Sequence, residues 1–254
     1  MNTIIAEAWD IYQTFMNQPF AVTPSIPILF FGNSDAYFDS EVRIITVGLN
    51  PSRVEFPSDD AFYRFPIARS IDPTTIGHGS GYGLYLNALN AYFQTNPYRT
   101  WFGSFEPLLN GLDASFYNKH AHTALHTDIC SPLATNPTWS GLSREQKTTL
   151  VTSGNALWRQ LVNRLAPHVI IMSVARQHVE TTGFNWVDDW RCFHRIEEKA
   201  DGSQRKDPYT VIARRTTIDQ QKALVIFGPA AITPFGAISN PAKYNIGTRI
   251  KEMI

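Results

Sequence analysis

An asparagine followed by a proline closes a β-branched run in Arg43-Ile44-Ile45-Thr46-Val47-Gly48-Leu49-Asn50-Pro51-Ser52, and this is the pattern in the sequence with the clearest chemical use. The side-chain oxygen of Asn50 can orient a water molecule without being a strong base. Pro51 locks φ, so that a turn carbonyl can share that water. Two further segments carry unusual content. His126-Thr127-Asp128-Ile129-Cys130-Ser131-Pro132 offers an imidazole and a carboxylate, and Gly228-Pro229-Ala230-Ala231-Ile232-Thr233-Pro234-Phe235-Gly236 is an apolar, proline-rich turn. An Asn-Pro pair also serves simply to end a strand, and His126 or Asp128 can equally pack in a sheet or cap a loop.

Metal chemistry is the competitor. Strand alternation puts His120, His122, His126 and Asp128 on one face, which permits a His/Asp metal-dependent hydrolase. The spacing matches no specific zinc motif, and no metal ligand is assigned. The glycine-rich run Gly77-His78-Gly79-Ser80-Gly81-Tyr82-Gly83 follows no strand and lacks the Lys-Ser/Thr of a phosphate-binding loop. It reads as a flexible loop. There is no serine in a nucleophile elbow and no dinucleotide fingerprint, so no cofactor is called for.

The elements that must position these residues follow from periodicity. Residues Ile4 to Met16 read as an amphipathic helix, Ile26 to Phe31 as a short strand, and Arg43 to Val47 as a strand buried on both faces of a parallel sheet. A helix from Leu84 to Phe93 follows. Strands at Thr123 to Cys130 and His168 to Val174 flank a helix from Ser143 to Leu165, with Ser143 as N-cap, Gln146 at the capping-box position and Pro167 beyond its end. Strand, helix, strand at this spacing is a crossover unit of a parallel sheet. Arg191 to Glu198 and Tyr209 to Ile218 read as hairpin arms, Ala223 to Phe227 as a last core strand, and Ala242 to Met253 as a final helix. The expected fold is a single α/β domain, a three-layer sandwich with a central, mainly parallel four-stranded sheet and an antiparallel hairpin extension. In such sheets ligands bind beyond the carboxyl ends of the strands, so the turns after Val47, Ile129 and Phe227 are expected to face a common crevice.

Gly48-Leu49-Asn50-Pro51 at the end of the first core strand resembles the first motif of the uracil-DNA glycosylase superfamily in its asparagine version. Leu165-Ala166-Pro167-His168-Val169-Ile170-Ile171 is similar to the segment leading into that family's third core strand. The likeness runs over roughly residues 43 to 236 in the order of elements, and is close at residue level only in the first motif. It implies a monofunctional DNA glycosylase in which Asn50 holds a water near the anomeric carbon while oxocarbenium character develops at the sugar. Phe62, about a dozen positions after Asn50, takes the place of the family's base-stacking phenylalanine, with Phe56, Tyr63 and Phe65 as rivals. Ser52 and Tyr63 join Phe62 as base-binding candidates.

The chain departs from the family at two places. His126 stands where one branch has an asparagine four residues before a Cys-x-Pro, and it cannot reproduce an amide's bidentate match to uracil. Asp128, counted with Asn50 as a catalytic candidate, would accept from an exocyclic amine. A modified cytosine therefore becomes a candidate base, and some relatives in this superfamily remove hypermodified bases from invading phage DNA. Gly228-Pro229-Ala230 stands where the family has His-Pro-Ser, which removes an imidazole that would stabilise the departing base. Asparagine-type branches can also lack it. The remaining loop offers Pro229, Ile232 and Phe235 as wedges for the space left by a flipped base, and Arg214 and Arg215 as phosphate contacts. A catalytically silent relative that binds modified DNA is the alternative from the binding class.

Composition bounds the partners. At 254 residues and 43% hydrophobic content the chain supports a substantial core. Net charge is zero, which argues against a broad polyanion-binding coat. The charge is uneven, however: residues 1–68 carry 3 basic and 8 acidic side chains, and residues 141–254 carry 16 basic and 10 acidic ones. DNA would be met mainly by the second half. Two cysteines, Cys130 and Cys192, cannot form a disulfide framework and are expected to act as small core hydrophobes in a reducing compartment. Glu7 and Asp10 stand where a signal peptide would be basic, and no apolar run is long enough to span a bilayer. The expectation is a cytoplasmic monomer with no membrane partner.

Overall fold

The computed structural model describes residues 1–73, 76, 81–117, 119–199, 201–230 and 233–254. Its helices are α1 (Asn2–Phe15), α2 (Ser34–Asp39), α3 (Tyr82–Asn90), α4 (Arg99–Phe102), α5 (Glu106–Gly111), α6 (Arg144–Leu165), α7 (Arg176–Glu180) and α8 (Asn240–Lys251). Its strands are β1 (Ile44–Gly48), β2 (Ala114–Ser115), β3 (His122–Asp128), β4 (Val169–Met172), β5 (Asn185–Trp186), β6 (Arg191–Glu198), β7 (Gln204–Ile218) and β8 (Gln221–Phe227). The fold is α/β. One mixed sheet runs β2-β3-β1-β4-β8-β7-β5, with β6 paired to β7.

The chain divides into two compact units. One comprises Met1–Asp35, Gly48–Tyr98 and His126–Leu165, and the other Ala36–Val47, Arg99–Leu125 and Ala166–Ile254. In the second unit, β1 and β8 both pair in parallel with β4, Ile45 facing Ile170 and Ile170 facing Val225. All five residues of β1 and all four of β4 are buried, as a β-branched run without alternation requires. Arg43 fastens the amino ends of these strands. Its backbone N–H donates to His168 Nδ1 at 2.9 Å, its Nε to the Ala166 carbonyl at 2.9 Å, and its Nη2 to Gln221 Oε1 at 3.0 Å.

The hairpin extension is antiparallel, as expected, but longer. β7 and β8 meet in a two-residue turn at Asp219 and Gln220, both with positive φ, which matches the twist of the flanking strands. β7 starts at Gln204 rather than Tyr209, and it accommodates Pro208, which has no N–H to give, in the irregular stretch between the Glu198–Gln204 and Ile196–Tyr209 pairs. Cys192 lies exposed on β6 rather than in a core, while Cys130 is buried.

In the first unit α6 begins with the expected capping box. The Ser143 N–H donates to Gln146 Oε1 at 2.8 Å, and the Gln146 N–H donates to Ser143 Oγ at 3.2 Å. Its buried residues Leu150, Gly154, Leu157, Trp158, Leu161 and Leu165 follow the helical period. Ile26 to Phe31 is not a strand. Pro27 interrupts the ladder, and the segment makes a single bridge from Phe31 to His126 while its residues stay buried. The first-half helix begins at Tyr82, two residues early, with Gly81 at φ +92° as its N-cap. Residues Gly77 to Ser80 of the glycine-rich run lie outside the described residues.

Candidate functional site

Asn50 sits in the turn that follows β1, and the reason β1 ends in glycine is steric. A Cβ on Gly48 would overlap Asp128 Oδ1 and stand 2.8 Å from His126 Nε2. The absence of a side chain lets the His126 and Asp128 side chains, only 2% and 5% exposed, close under the turn with Nε2 and Oδ1 3.6 Å apart. The two turns are then zipped together. The Ile129 N–H donates to the Gly48 carbonyl at 3.1 Å and the Cys130 N–H to the Leu49 carbonyl at 2.8 Å.

The Asn50 amide has a fixed sense. Its Nδ2 donates to the Pro51 carbonyl at 2.7 Å and to Thr135 Oγ1 at 2.9 Å, with the Leu133 carbonyl at 3.4 Å. Thr135 Oγ1 gives its own proton to the Pro137 carbonyl at 2.9 Å, so toward Asn50 it can only accept. The nitrogen is therefore surrounded by acceptors, and Oδ1 points the other way. Among the described residues none donates to that oxygen. The carbonyls of Gly48, Leu49 and Pro51 each accept a backbone N–H, and the Pro51 carbonyl takes the Asn50 amide as a second donor.

A buried acid that the sequence reading passed over lies five residues on. Glu55 is 5% exposed, and Tyr92 Oη is 2.6 Å from its Oε2. Burial pushes its carboxyl up to about 7. The Tyr92 hydroxyl and the Arg64 guanidinium oppose the rise, and the nearby Asp128 carboxylate adds to it. A carboxyl held above its unfolded value binds its proton more tightly in the folded state, so it favours folding below pH ~4.5, and that contribution is lost as pH rises toward 7. Denaturant titrations are expected to show stability falling across this window by on the order of 3 kcal/mol. Glu55→Gln, which cannot ionise, is expected to flatten that slope. An unchanged slope in the variant would contradict the burial of this carboxyl.

Aromatic rings pack beside these groups. Phe31 contacts Tyr92 with ring centroids 4.8 Å apart and His126 at 5.7 Å, while Phe56 stacks on Phe65 at 5.4 Å. Phe56 and Phe65 are fully buried. Of the four rival platforms, Phe62 is half-buried, with its ring edge-on to Phe56, and Tyr63 is exposed. Ser52 caps the short turn Arg53–Glu55, its hydroxyl accepting from the Val54 N–H at 3.4 Å.

No protein-family model, curated protein or solved structure matches the chain.

The third turn belongs to the other unit. A Cβ on Gly228 would lie 2.5 Å from Phe235 Cε1 and 2.8 Å from Tyr209 Oη, so no side chain fits there, a histidine least of all. Phe235 is a correction to the wedge reading. It is fully buried against Phe105, and its N–H is held by Ser173 Oγ at 2.9 Å, which ties the loop inward. Pro229 is exposed and its carbonyl accepts from Tyr209 Oη at 2.8 Å, while Ile232 lies outside the described residues. Arg214 lies over the Trp186 ring at 4.6 Å, and Arg215 pairs with Asp188 at 3.7 Å. His120 pairs with Asp113 at 3.3 Å, and among the described residues no three His, Cys, Asp or Glu side chains converge as a metal site. Among those residues no helix is long and apolar enough to cross a membrane.

Sequence patterns alone missed Glu55, Tyr92 and Thr135. The available signal for Glu55 was a lone charge between the apolar Val54 and Phe56.

Proposed function

We propose that the chain is a monofunctional DNA glycosylase that hydrolyses the N-glycosidic bond of a flipped-out modified pyrimidine and leaves an abasic site. The observation that carries this reading is the Asn50 amide, whose nitrogen is anchored on three acceptors while its oxygen stays clear to accept a hydrogen bond from a water. The water's oxygen attacks the anomeric carbon as the bond to the base breaks, and no covalent enzyme intermediate is required. Phe62 and Tyr63 are the rings with surface left for stacking on an extruded base. Asp128, paired with His126, favours an exocyclic amine over a carbonyl, which points to a modified cytosine rather than uracil. The partner is DNA, met by a cytoplasmic monomer acting against hypermodified phage genomes.

The test is a panel of duplexes carrying uracil, 5-hydroxymethyluracil or glucosylated 5-hydroxymethylcytosine, scored for alkali-labile abasic sites with chelator present. Cleavage of the cytosine-derived substrate that survives chelator supports the reading. Loss of cleavage on chelation would transfer it to a metal-dependent hydrolase, and tight binding without abasic sites would make the protein a reader of modified DNA.

A further inference from the structure

We propose that Glu55 is the general acid that hands its carboxyl proton to the departing base, a role that rests on the glycosylase reading above. Tyr92 Oη accepts the Tyr98 N–H at 2.9 Å and is left with one proton, which it donates to Glu55 Oε2. No described residue hydrogen-bonds Oε1, so one oxygen of a buried carboxyl carries the proton without a protein partner. The ring of Phe31 touches both Tyr92 and His126, so a single phenylalanine stands between the Glu55–Tyr92 pair and the His126–Asp128 pair beneath the Asn50 turn. The charged and titratable groups that act on Glu55 are Tyr92, Arg64 and Asp128. Arg64 is held off in part by the Val54 carbonyl at 2.8 Å and the Asn96 carbonyl at 2.6 Å. Burial holds the Glu55 carboxyl up to about 7, and the Asp128 carboxylate adds to that rise, so Glu55 carries its proton toward neutrality.

The chemistry needs such a proton. When the bond between the anomeric carbon and the base nitrogen breaks, its electron pair moves onto the base, and a cytosine-type base leaves poorly as an anion. Glu55 protonates the base as the bond breaks, and the base departs neutral. The attacking water forms the new carbon–oxygen bond and loses one proton to solvent. The Glu55 carboxylate takes one back from solvent, so water is the only reagent consumed.

The experiment is single-turnover release of base from a duplex carrying glucosylated 5-hydroxymethylcytosine, followed from pH 5 to 9. The wild-type rate is expected to fall as pH rises through the Glu55 titration. Glu55→Gln keeps the shape and the Tyr92 contact, and is expected to lose about 10²–10⁴-fold in rate together with that limb. Tyr92→Phe removes a hydrogen bond that stabilises the carboxylate, and is expected to move the limb to higher pH. A Glu55→Gln protein that melts like wild type and matches its rate and pH profile would overturn the general acid and leave the glycosylase reading standing. No base release by wild type from this duplex or from the uracil and 5-hydroxymethyluracil duplexes would overturn both. Independently of turnover, an infrared band of a protonated carboxyl is expected to persist toward neutral pH in wild type and vanish in Glu55→Gln; its absence from wild type would also overturn the proposal.

Discussion

Asn50→Ala is expected to lower base release by about 10²–10³-fold while leaving the fold intact. The separation of activity from stability follows from where the lost hydrogen bonds go. The Pro51 carbonyl keeps the Thr135 N–H and the Thr135 hydroxyl keeps the Pro137 carbonyl, so few groups are stranded when the amide is removed. The stability loss should be about 1 kcal/mol, visible as a small shift of the denaturation midpoint. Asn50→Asp is the informative partner. A carboxylate would turn an oxygen toward the Pro51 and Leu133 carbonyls in place of a donor, and it is expected to fail as well. An Asn50→Asp enzyme at wild-type rate would show that the amide's anchoring is not what orients the water.

Gly154→Ala is expected to destabilise the protein despite lying inside α6, where alanine normally gains about 0.5–1 kcal/mol over glycine. The new Cβ would overlap the Cys130 carbonyl oxygen and come within 2.7 Å of Ser131 Cα. Backbone cannot move aside as a side-chain tip can, and overpacking of this kind typically costs 1–3 kcal/mol or more. The steric term wins, and a net loss of about 2 kcal/mol is expected in urea unfolding. Because the displaced segment leads through Leu133 to Thr135, which anchors Asn50, activity should fall with it. A variant more stable than wild type would mean that α6 does not sit against this turn as closely as described.

These two positions show what the sequence makes readable. Local signals hold where one interaction decides the outcome. Ser143 and Gln146 define the start of α6, the β-branched run before Gly48 defines a strand buried on both faces, and Asp219-Gln220 defines a hairpin turn. Each rests on neighbours within a few residues. Ile26 to Phe31 failed because its apolar content says only that it is buried, while Pro27 decides that it cannot join a ladder. Asn50 was legible as a residue but not as a geometry, since the acceptor that fixes its amide, Thr135, is 85 positions away. Glu55 was invisible for the same reason. Its partner Tyr92 is 37 residues on, and only burial distinguishes it from any surface glutamate. Phe235 misled because an apolar residue in a proline-rich turn looks the same whether it points out or, as here, in.

The most direct test of the central claim is mass-spectrometric detection of free base after incubating wild type and Asn50→Ala with an oligonucleotide carrying glucosylated 5-hydroxymethylcytosine. Stoichiometric release of the intact modified base by wild type, with release by Asn50→Ala reduced at least a hundredfold, is the predicted result. Equal release by both proteins, or none by wild type from this or any other modified pyrimidine, would contradict it.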